Sequence, residues 1–564
     1  MTEAAQVSKL LREFGQRTAL RGGNPYRAQA YQRAAESLAA LTEPLDKIIA
    51  QGRLQTLPGV GPAIAGMVQK LSSTGTHPTL EAMRKEVPAG VLDLLSIPGL
   101  RPEKVLKIHQ ELGVFGLEDL EHAAREGRLA KVTGLGPALE RKVLQGLEIR
   151  RKGAGRRHLH RAADLLAAIQ GNLERSHPEL DLIVPAGDYR RGCELVSDLS
   201  LVARTARLDG GPAVLELGEN IALCVTDKRR FGITLLLATG SESHLRALQS
   251  VANAKGMLLD RNGIKRGNRV VAASTEDKIY EALGLQFVEP ELREGRGELE
   301  LAAAKRLPSL VRDADIRGIL HAHTHLSDGA DTLEVMANAV RERGYEYFGV
   351  ADHSQSAGYA GGLTLEEIDE QHAQAGRLNA SCRGRFRIFK GIESDILADG
   401  SLDYSDDVLS RFDFVIASVH SRFRLPAKEQ TARIVRAASN PHTTILGHMT
   451  GRQLLRRPGY EVDIERILKA CARHGVAVEI NANPWRLDLD WRWHACALEL
   501  GCMMAINPDA HSTAEIELTH WGVEMARKGS VPKDRVLNCL SVENFTAYLD
   551  KRKKTSSCAT SGRR

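Results

Sequence analysis

The sequence contains few cysteines and no long hydrophobic segment. Its 8 cysteines lie between Cys193 and Cys558 without any Cys-x-x-Cys spacing, so neither a disulfide framework nor a zinc ribbon is indicated. The N-terminal residues do not join a charged stretch to an apolar one, as a signal peptide would, and no apolar run is long enough to cross a membrane. We therefore expect a cytoplasmic protein that has no membrane partner.

The sequence also has no strong excess of positively or negatively charged residues. The formal net charge is only +6 over 564 residues, which by itself favours a nucleic-acid partner weakly. Basic residues concentrate instead at positions 150–160 and 551–564, and we expect the second run to be a flexible tail. The content of 43% hydrophobic and 26% charged residues is typical of a globular protein, and the length predicts roughly two to four domains.

Histidines and carboxylates recur at the ends of predicted strands in the C-terminal half. Apolar stretches such as YFGVA, DFVIASV and TTILG each lead directly into one of them, and longer amphipathic segments separate the stretches. The side chains that share this placement are His321, His323, Asp328, His353, Glu393, His420, His448, Asp509 and His511.

Alternating strands and helices with polar residues at the strand ends predict a β/α barrel, because the carboxyl ends of barrel strands meet at one face. A single histidine at a strand end is more often an ordinary core or surface residue than a metal ligand. Many such side chains buried at one face would be costly unless they paired with one another or with metal. The set therefore predicts a metallohydrolase that holds several ions.

The N-terminal half repeats a short glycine turn between two helical patterns. The three turns are LPGVGPAIA (57–65), IPGLRPEKV (97–105) and VTGLGPALE (132–140), and their glycines are Gly59, Gly61, Gly99, Gly134 and Gly136. Such turns leave backbone N–H groups accessible at a helix N terminus, where they suit a DNA phosphate. One turn would be weak evidence, but three in succession predict helix-hairpin-helix motifs. We expect the middle copy to bind phosphate poorly, because Arg101 replaces its second glycine.

Further motifs follow in a fixed order: GGNPYRAQAYQRAA (22–35), AGDYRRG (186–192), ATGSESH (238–244) and EPELREGRGE (289–298). Together with the hairpins and the blocks HxH…SDG, DHS, GIESDI, ASVH, GH, EINANP and PDAHS, they make the sequence resemble the bacterial family X DNA polymerases. In that family a DNA polymerase beta-like core precedes a PHP (polymerase and histidinol phosphatase) domain. The resemblance implies a multidomain α+β and α/β protein with helical helix-hairpin-helix domains, a nucleotidyltransferase-like palm and thumb, and a C-terminal distorted (β/α)7 PHP barrel.

The resemblance also implies domain boundaries. They give a helical DNA-binding domain with the first hairpin at 1–80, a fingers-like hairpin domain at 81–155, a palm-like domain at 156–240, a thumb-like domain and linker at 241–311, the PHP domain at 312–550 and the basic tail at 551–564.

The PHP family holds up to three ions, usually Mn²⁺ or Zn²⁺, and hydrolyses phosphoesters. Carried over by position, the ligand sets are His321, His323, Glu393 and Asp509 for one ion, Glu393, His420 and His448 for a second, and Asp328, His353 and His511 for a third. All positions are filled, and we expect the first set to be catalytic. Arg452, Arg457 and Arg486 are candidates for binding phosphate oxygens through paired donors, with solvated surface charge as the alternative.

The palm-like segment departs from its family at the catalytic carboxylates. Such a site uses three carboxylates to hold two Mg²⁺ ions, yet here Asp198 stands alone because the other two positions are Ser200 and Ala222. Asp188 replaces the serine of the turn that contains Arg191, and we expect its charge to repel phosphate. Mg²⁺ is therefore not expected in the palm, and polymerase activity should be lost or weak.

The sequence thus predicts a monomeric DNA-repair protein whose barrel acts as a metal-dependent 3′-5′ exonuclease or processes 3′ ends. Its N-terminal domains would hold gapped, nicked or 3′-ended duplex DNA. Three alternatives stay open: an active gap-filling DNA polymerase with a PHP exonuclease, a non-catalytic DNA-binding scaffold, and a small-molecule PHP phosphatase.

Overall fold

The computed structural model describes residues 4–22, 25–39, 41, 44–57, 59–206, 212–218, 221–382 and 384–561. Contacts divide the chain into two compact units, Met1–Ala154 with Leu455–Arg457, and Gly155–Leu454 with Pro458–Arg564. Within the described ranges, no helix combines the length and the apolar character needed to cross a membrane.

The first unit is built from helices. They are α1 (Ala4–Leu20), α2 (Pro25–Ala39), α3 (Leu45–Ala50), α4 (Pro62–Thr74), α5 (Pro78–Glu86), α6 (Ala89–Leu94), α7 (Pro102–Leu112), α8 (Leu117–Arg125), α9 (Arg128–Lys131) and α10 (Gly136–Lys152). Two apolar clusters hold them together, one around α1, α2 and α4 and the other around α6 to α10. The buried Arg17 of α1 donates hydrogen bonds to the carbonyls of Met83 and Val87, so its charge satisfies backbone groups at the end of α5.

The three predicted glycine turns have the same backbone geometry around their first glycine. In each, the residue after the first glycine donates a backbone hydrogen bond three residues back: Val60 to Leu57, Leu100 to Ile97 and Leu135 to Val132. The glycine before it has a left-handed φ of +77°, +79° or +80°, which residues with a Cβ adopt rarely. Each turn leads into a helix with proline in its first turn, where the missing N–H costs nothing. Pro58 of the first turn lies outside the described residues.

The second unit begins with a small α+β region. Its strands are β1 (Arg157–His158), β2 (Leu180–Ala186), β3 (Leu195–Val196), β4 (Leu199–Thr205), β5 (Ala213–Gly218), β6 (Ile221–Thr226), β7 (Leu258–Asp260), β8 (Gly263–Arg266) and β9 (Arg269–Ala272). Its helices are α11 (Leu159–Ser176), α12 (Gly187–Arg190), α13 (Phe231–Thr239), α14 (Glu242–Ala254), α15 (Glu276–Ala282) and α16 (Glu298–Ala303).

The strands of this region form three separate sheets. The largest has the order β2-β4-β6-β5, in which only the β4–β6 pair is parallel. β1 pairs with β3, and β7, β8 and β9 form an antiparallel sheet. The four-stranded sheet lies in the segment predicted as the palm, and the three-stranded sheet lies in the segment predicted as the thumb.

The rest of the unit is a barrel of alternating strands and helices. Its strands are β10 (Gly318–Ile319), β11 (Tyr347–Val350), β12 (Arg387–Asp395), β13 (Phe414–Ser418), β14 (Ile445–Leu446), β15 (Ala477–Asn481) and β16 (Met504–Asn507). Its helices are α17 (Leu333–Glu342), α18 (Leu365–Cys382), α19 (Asp406–Leu409), α20 (Ala427–Ala438), α21 (Ile464–His474), α22 (His494–Glu499), α23 (Thr519–Lys528) and α24 (Val542–Ser561). Short 3-10 turns include Gly358–Ala360 and Trp491–Trp493.

The barrel strands lie in chain order in one 7-stranded sheet, and every neighbouring pair is parallel. A parallel bridge between Ala322 and Ala510 connects the segments that follow β10 and β16, so the sheet is nearly closed. Because all strands run the same way, their carboxyl ends share one face of the barrel. The predicted seven-stranded barrel is thereby present.

Close packing inside the barrel requires small residues at particular positions. A Cβ on Gly391 would lie 2.2 Å from the Phe414 ring, and a Cβ on Gly349 would lie 2.7 Å from the same ring. The aromatic side chain therefore occupies the space that two glycines on adjacent strands leave free. The strands β11, β13, β15 and β16 are buried along their whole length, which is why they are almost continuously apolar.

The last helix, α24, packs against the starts of two barrel strands. The Phe545 ring stacks on Tyr347 with 5.1 Å between centroids, and it contacts Phe389 edge-on. The predicted tail at 551–564 begins inside this helix, and residues 562–564 lie outside the described residues.

Candidate metal centre

The side chains predicted as metal ligands all lie at or just beyond the carboxyl ends of the barrel strands. His321, His323 and Asp328 follow β10, His353 follows β11, Glu393 lies in β12, His420 follows β13, His448 follows β14, and Asp509 and His511 follow β16. Chain topology therefore brings together residues that are up to 190 positions apart.

Glu393 lies at the middle of this cluster and is fully buried. Its Oε1 is 3.0 Å from His448 Nε2 and 3.3 Å from His321 Nε2, while its Oε2 is 3.0 Å from His353 Nδ1. His420 Nε2 is 3.4 Å from Oε1. The two oxygens of one carboxylate thus face different imidazoles, as a bridging ligand must.

The ligand atoms form four overlapping groups that are compact enough for a cation. The groups are His323, Asp328, His353 and His511; His321, His323 and Glu393; His321, His448 and Asp509; and His353, Glu393 and His420. The first contains the predicted third set together with His323. The other groups differ from the expected sets: His448 lies with His321 and Asp509, and His420 lies with His353 and Glu393. Which residues bind which ion therefore stays a prediction.

Unsatisfied buried atoms show that this donor set fits cations. Within the described part of the chain, His321 Nε2, His323 Nδ1, His353 Nδ1 and Glu393 Oε2 are buried without a well-oriented hydrogen bond, although His353 Nδ1 lies 3.0 Å from Glu393 Oε2. Buried polar atoms without partners are costly, and a cation between them would satisfy several at once. Imidazole nitrogens with carboxylate oxygens suit Mn²⁺, Zn²⁺ or Fe²⁺.

The charges of the buried groups also favour cations. Burial works against ionisation of Glu393, but His420 and His321 outweigh it and hold its pKa well below the usual value. The pKa of Asp509 is likewise lowered despite burial, chiefly by His321 and His323. Burial and the neighbouring His353 lower the pKa of His323 to about 4, so this imidazole is neutral at pH 7. Burial works against protonation of His353 and His511, but Glu393 raises the pKa of the first to about 10 and Asp328 raises that of the second to about 9. Both rings must therefore lose a proton when they bind metal, whereas the carboxylates are already ionised.

A second layer of carboxylates orients the imidazoles. Glu479 Oε1 accepts a hydrogen bond at 2.5 Å from His321 Nδ1, and Asp395 Oδ1 lies 2.6 Å from His420 Nδ1. Asp352 accepts bonds from the Thr324 backbone and hydroxyl, each at 2.7 Å, and so fixes the loop after β10. Sequence reasoning did not assign these carboxylates, although they lie in the recognised EINANP, ESD and DHS motifs. Such partners fix the ring orientation of histidine ligands.

The three candidate phosphate-binding arginines have different surroundings. Arg486 Nε is 3.8 Å from Asp509 Oδ2, so it lies beside the cluster. Arg452 donates to Asp490 Oδ2 at 2.7 Å and to the Arg486 carbonyl at 3.0 Å, which makes it a brace for the loop that carries Arg486. Arg457 belongs by its contacts to the first unit. Phosphate binding by any of the three stays a prediction.

The palm-like sheet lacks a comparable cluster among its described residues. Asp198 is exposed just before β4, and the two other carboxylate positions, Ser200 and Ala222, are direct partners on the parallel strands β4 and β6. Asp227 does not substitute for them, because it caps its own loop and pairs with Arg230 at 2.5 Å.

The basic turn of the palm is occupied by internal ion pairs. Arg191 pairs with Asp188 at 2.5 Å and with Glu294 at 3.0 Å, and Arg190 pairs with Glu276 at 2.7 Å. The expected repulsion of phosphate by Asp188 requires a charge without a partner, and Arg191 supplies that partner. The same pairs leave both arginines engaged within the protein.

Four segments match known protein families. They are residues 3–77 (helix-hairpin-helix domain), 91–148 (SAM-like helix-hairpin-helix tandem), 234–294 (DNA polymerase beta thumb) and 320–483 (PHP domain). The helix-hairpin-helix, thumb and PHP predictions are thereby confirmed.

Relatives differ in how much of the chain they match. The chain is 32% identical over 568 residues to the DNA polymerase/3′-5′ exonuclease PolX of Bacillus subtilis (strain 168), an alignment that covers 96% of this chain and 98% of that protein. It is 25% identical over 252 residues to a probable phosphatase of Caldanaerobacter subterraneus, covering 42% of this chain and 94% of that protein. A probable phosphatase of Vibrio parahaemolyticus is 30% identical over 172 residues, covering 29% of this chain and 66% of that protein. The chain therefore belongs to the bacterial family X DNA polymerases that carry helix-hairpin-helix domains and a C-terminal PHP domain.

Proposed function

We propose that the barrel of this protein hydrolyses phosphodiester bonds with the help of metal ions, either as a 3′-5′ exonuclease or to process 3′ ends. We also propose that its palm has no polymerase activity. The contrast between the two sites supports the proposal. The barrel keeps every predicted ligand in contact, whereas the palm retains one carboxylate position of three. Mn²⁺ or Zn²⁺ is the proposed cofactor.

The ligands His321, His323, Glu393 and Asp509 would hold the catalytic cations. When bound, such cations neutralise phosphate oxygens and lower the pKa of a water molecule towards neutrality. Asp328 and His511 are each about one-third exposed at their side chains, so the cluster opens to solvent on their side. Arg486 lies beside the cluster, where its guanidinium could donate to a non-bridging phosphate oxygen.

The glycine turns of the first unit are the proposed DNA-holding elements. Gly59 and Gly61 are exposed at the start of α4, and Gly134 and Gly99 are exposed in the other turns. The backbone N–H groups at these helix starts suit phosphates without reading sequence. Turns that hold DNA would supply the barrel with a polymeric substrate. A small-molecule phosphatase would have no use for such turns.

The decisive experiment follows both ends of one DNA strand. Full-length protein receives a duplex with a recessed 3′ end, labelled either at the 5′ end or in the 3′-terminal nucleotide, with Mn²⁺. We expect a ladder of shortened 5′-labelled strands and early release of the 3′ label. His323→Ala and Glu393→Gln should abolish both, while the exposed Glu465→Gln on α21 serves as a matched control. Shortening that persists in His323→Ala would contradict the proposal.

A second candidate is a gap-filling polymerase that also carries the exonuclease. The name of the Bacillus subtilis relative favours it. The neutral pair Ser200 and Ala222 argues against it, because Asp198 alone cannot hold two cations against a triphosphate.

A further inference from the structure

A cavity of about 270 Å³ lies where the segment predicted as the palm meets the barrel helix α23. Both sides belong to the second compact unit. The palm-like side contributes an apolar wall, with Leu159 at the start of α11 and Val184 in β2. The first two turns of α23 contribute His520, Trp521 and Glu524. The described side chains that line this cavity do not include a candidate metal ligand.

Glu524 brings a carboxylate into the cavity without a partner for it. No hydrogen bond or ion pair to this carboxylate is present within the described part of the chain. Its Oε2 reaches the palm-like turn, because a Cβ on Gly192 would lie only 3.5 Å from it. Burial and the neighbouring Glu291 raise the pKa of Glu524 to about 7. A largely buried carboxylate without a partner is a group that a cation from solution would stabilise.

The basic side chains around the cavity are engaged by other carboxylates. The pairs are Arg527 with Glu291 at 2.6 Å, Arg190 with Glu276 at 2.7 Å, and His520 with Asp313 at 3.1 Å. Each of these cations already has a counter-charge, and the carboxylate of Glu524 is left over. The net charge of +6 over the whole chain gives no general attraction for cations, so an attraction in this cavity is local.

Aromatic rings surround the unpaired carboxylate. Tyr189 lines the cavity from the palm-like turn, and burial, followed by Glu524, raises the pKa of its phenol, so the two side chains are neighbours. The Trp521 and His520 rings contact each other edge-on with 4.9 Å between centroids. The face of an aromatic ring attracts ammonium groups, and tryptophan does so most strongly. Mg²⁺ suits this cavity poorly, because it requires octahedral oxygen ligands.

We propose that this cavity binds an aliphatic ammonium ion, in the form of a free diamine or polyamine, whose nitrogen lies at Glu524 beside the Tyr189 and Trp521 rings. The ammonium group would donate charge-assisted hydrogen bonds to the carboxylate. The methylene chain would remove the apolar surface of Leu159 and Val184 from water. Because the palm-like segment and α23 each supply one wall, the bound amine would stabilise their contact. This site is independent of the proposed hydrolytic function.

The test is a calorimetric titration of full-length protein with putrescine, without Mn²⁺ or DNA, at constant ionic strength and pH 8. Butanediol of the same chain length is the uncharged analogue, and Nα-acetyl-lysinamide represents the side chain of a protein partner. The variants are Glu524→Gln, which removes the charge and keeps the size, and Trp521→Leu. Glu465→Gln on α21, an exposed carboxylate outside the cavity, is the matched control.

Putrescine should bind in a saturable manner at one site, and butanediol should not bind. Glu524→Gln should raise the Kd for putrescine about 10- to 150-fold, the usual contribution of a hydrogen bond to a charged group. Trp521→Leu should raise it about 2- to 30-fold through loss of the ring face. Glu465→Gln should bind putrescine like the original protein.

The affinity should also depend on pH, because only the ionised form of Glu524 attracts the amine. With a pKa of about 7, its ionised fraction rises about 10-fold between pH 6 and pH 8, and the affinity should rise by the same factor. The other charged groups that act on this carboxylate are Glu291, His520, Arg527 and Asp313. His520→Gln should keep the pH dependence, which assigns it to Glu524 and not to the imidazole.

Three results would overturn the proposal: putrescine binding that is absent or not saturable, butanediol binding as tight as that of putrescine, or an unchanged Kd in Glu524→Gln. Tighter binding of Nα-acetyl-lysinamide than of putrescine would also overturn it and assign the cavity to a protein side chain. Urea titrations of Glu524→Gln show whether the variant is folded, and loss of an unpaired charge should not lower its stability. Digestion of DNA plays no part in these measurements, so failure of the proposed hydrolysis would leave them unaffected.

Discussion

The carboxylate of Glu479 offers a sharp test of how the cluster is built, because it touches a proposed ligand without being one. Its Oε1 accepts bonds from His321 Nδ1 at 2.5 Å and Asn507 Nδ2 at 2.8 Å, and its Oε2 accepts one from the His448 backbone N–H at 2.6 Å. In Glu479→Gln an NH₂ group replaces one of the two carboxylate oxygens. This NH₂ group must then face a hydrogen-bond donor, either at His321 and Asn507 or at His448, so at least one of these hydrogen bonds is lost.

Loss of an outer partner of a metal ligand usually costs 10- to 100-fold in metal affinity, or about 1.4–2.7 kcal/mol. We therefore expect the Mn²⁺ concentration that gives half the maximal exonuclease rate to rise by about that factor in Glu479→Gln, with the rate at saturating Mn²⁺ largely restored. The readout is the initial rate of shortening of a 5′-labelled strand across a Mn²⁺ titration, with direct Mn²⁺ binding measured by calorimetry.

The matched control is Glu465→Gln on α21. Glu465 is about half exposed and pairs with Lys469 one turn away, an interaction worth only about 0.5 kcal/mol or less. Its Mn²⁺ dependence should equal that of the original protein. If Glu479→Gln also shows an unchanged Mn²⁺ dependence, the orienting role assigned to this second layer is wrong.

Two further predictions concern stability. Arg293 is fully buried, donates to the Val288 carbonyl and pairs with Glu276, which Arg190 also neutralises, so Arg293→Ala should lower the free energy of unfolding by about 1–3 kcal/mol in urea titrations; an unchanged free energy of unfolding would contradict this assignment. Burial and nearby Glu291 raise the pKa of Glu524 to about 7, so its neutral form is favoured in the fold and its stabilising effect is complete below about pH 4.5 and lost as pH rises through 7. Glu524→Gln should therefore gain stability relative to the original protein between pH 5 and pH 8, by at most about 3 kcal/mol, and parallel pH profiles of the two proteins in urea titrations would refute this.

The sequence predicts the barrel and the convergence of its candidate ligands for a physical reason. Strands that end in a histidine or carboxylate converge automatically once they are parallel, so His321 and His448 meet without any further information. The repeated glycine turns are similarly local, because a left-handed φ and a following helix start depend on adjacent residues.

What the sequence does not predict depends on partners that are distant along the chain. The hydrogen bond from Trp491 Nε1 to Glu194 at 2.9 Å joins residues 297 positions apart, and it connects two regions predicted as separate domains within one compact unit. Arg452 resembles a phosphate ligand in the sequence, yet its donors brace the loop that carries Arg486. Residue type and spacing identify a charge but not the group that will neutralise it.

The roles of Asp188 and Arg191 illustrate the same limit. The sequence suggests that Asp188 repels phosphate, whereas the fold pairs it with Arg191 at 2.5 Å. Asp188 and Arg191 are only three positions apart in the sequence. The geometry of their ion pair nevertheless depends on Glu294, a distant residue that also pairs with Arg191.

The central claim is that the barrel holds the complete active site and the palm does not. It is tested most directly in one reaction, in which a 5′-labelled primer on a gapped duplex is incubated with the four deoxynucleoside triphosphates and either Mg²⁺ or Mn²⁺. We predict that the primer is shortened and never extended, and that His323→Ala stops the shortening. Primer extension that disappears in Asp198→Ala would contradict the claim.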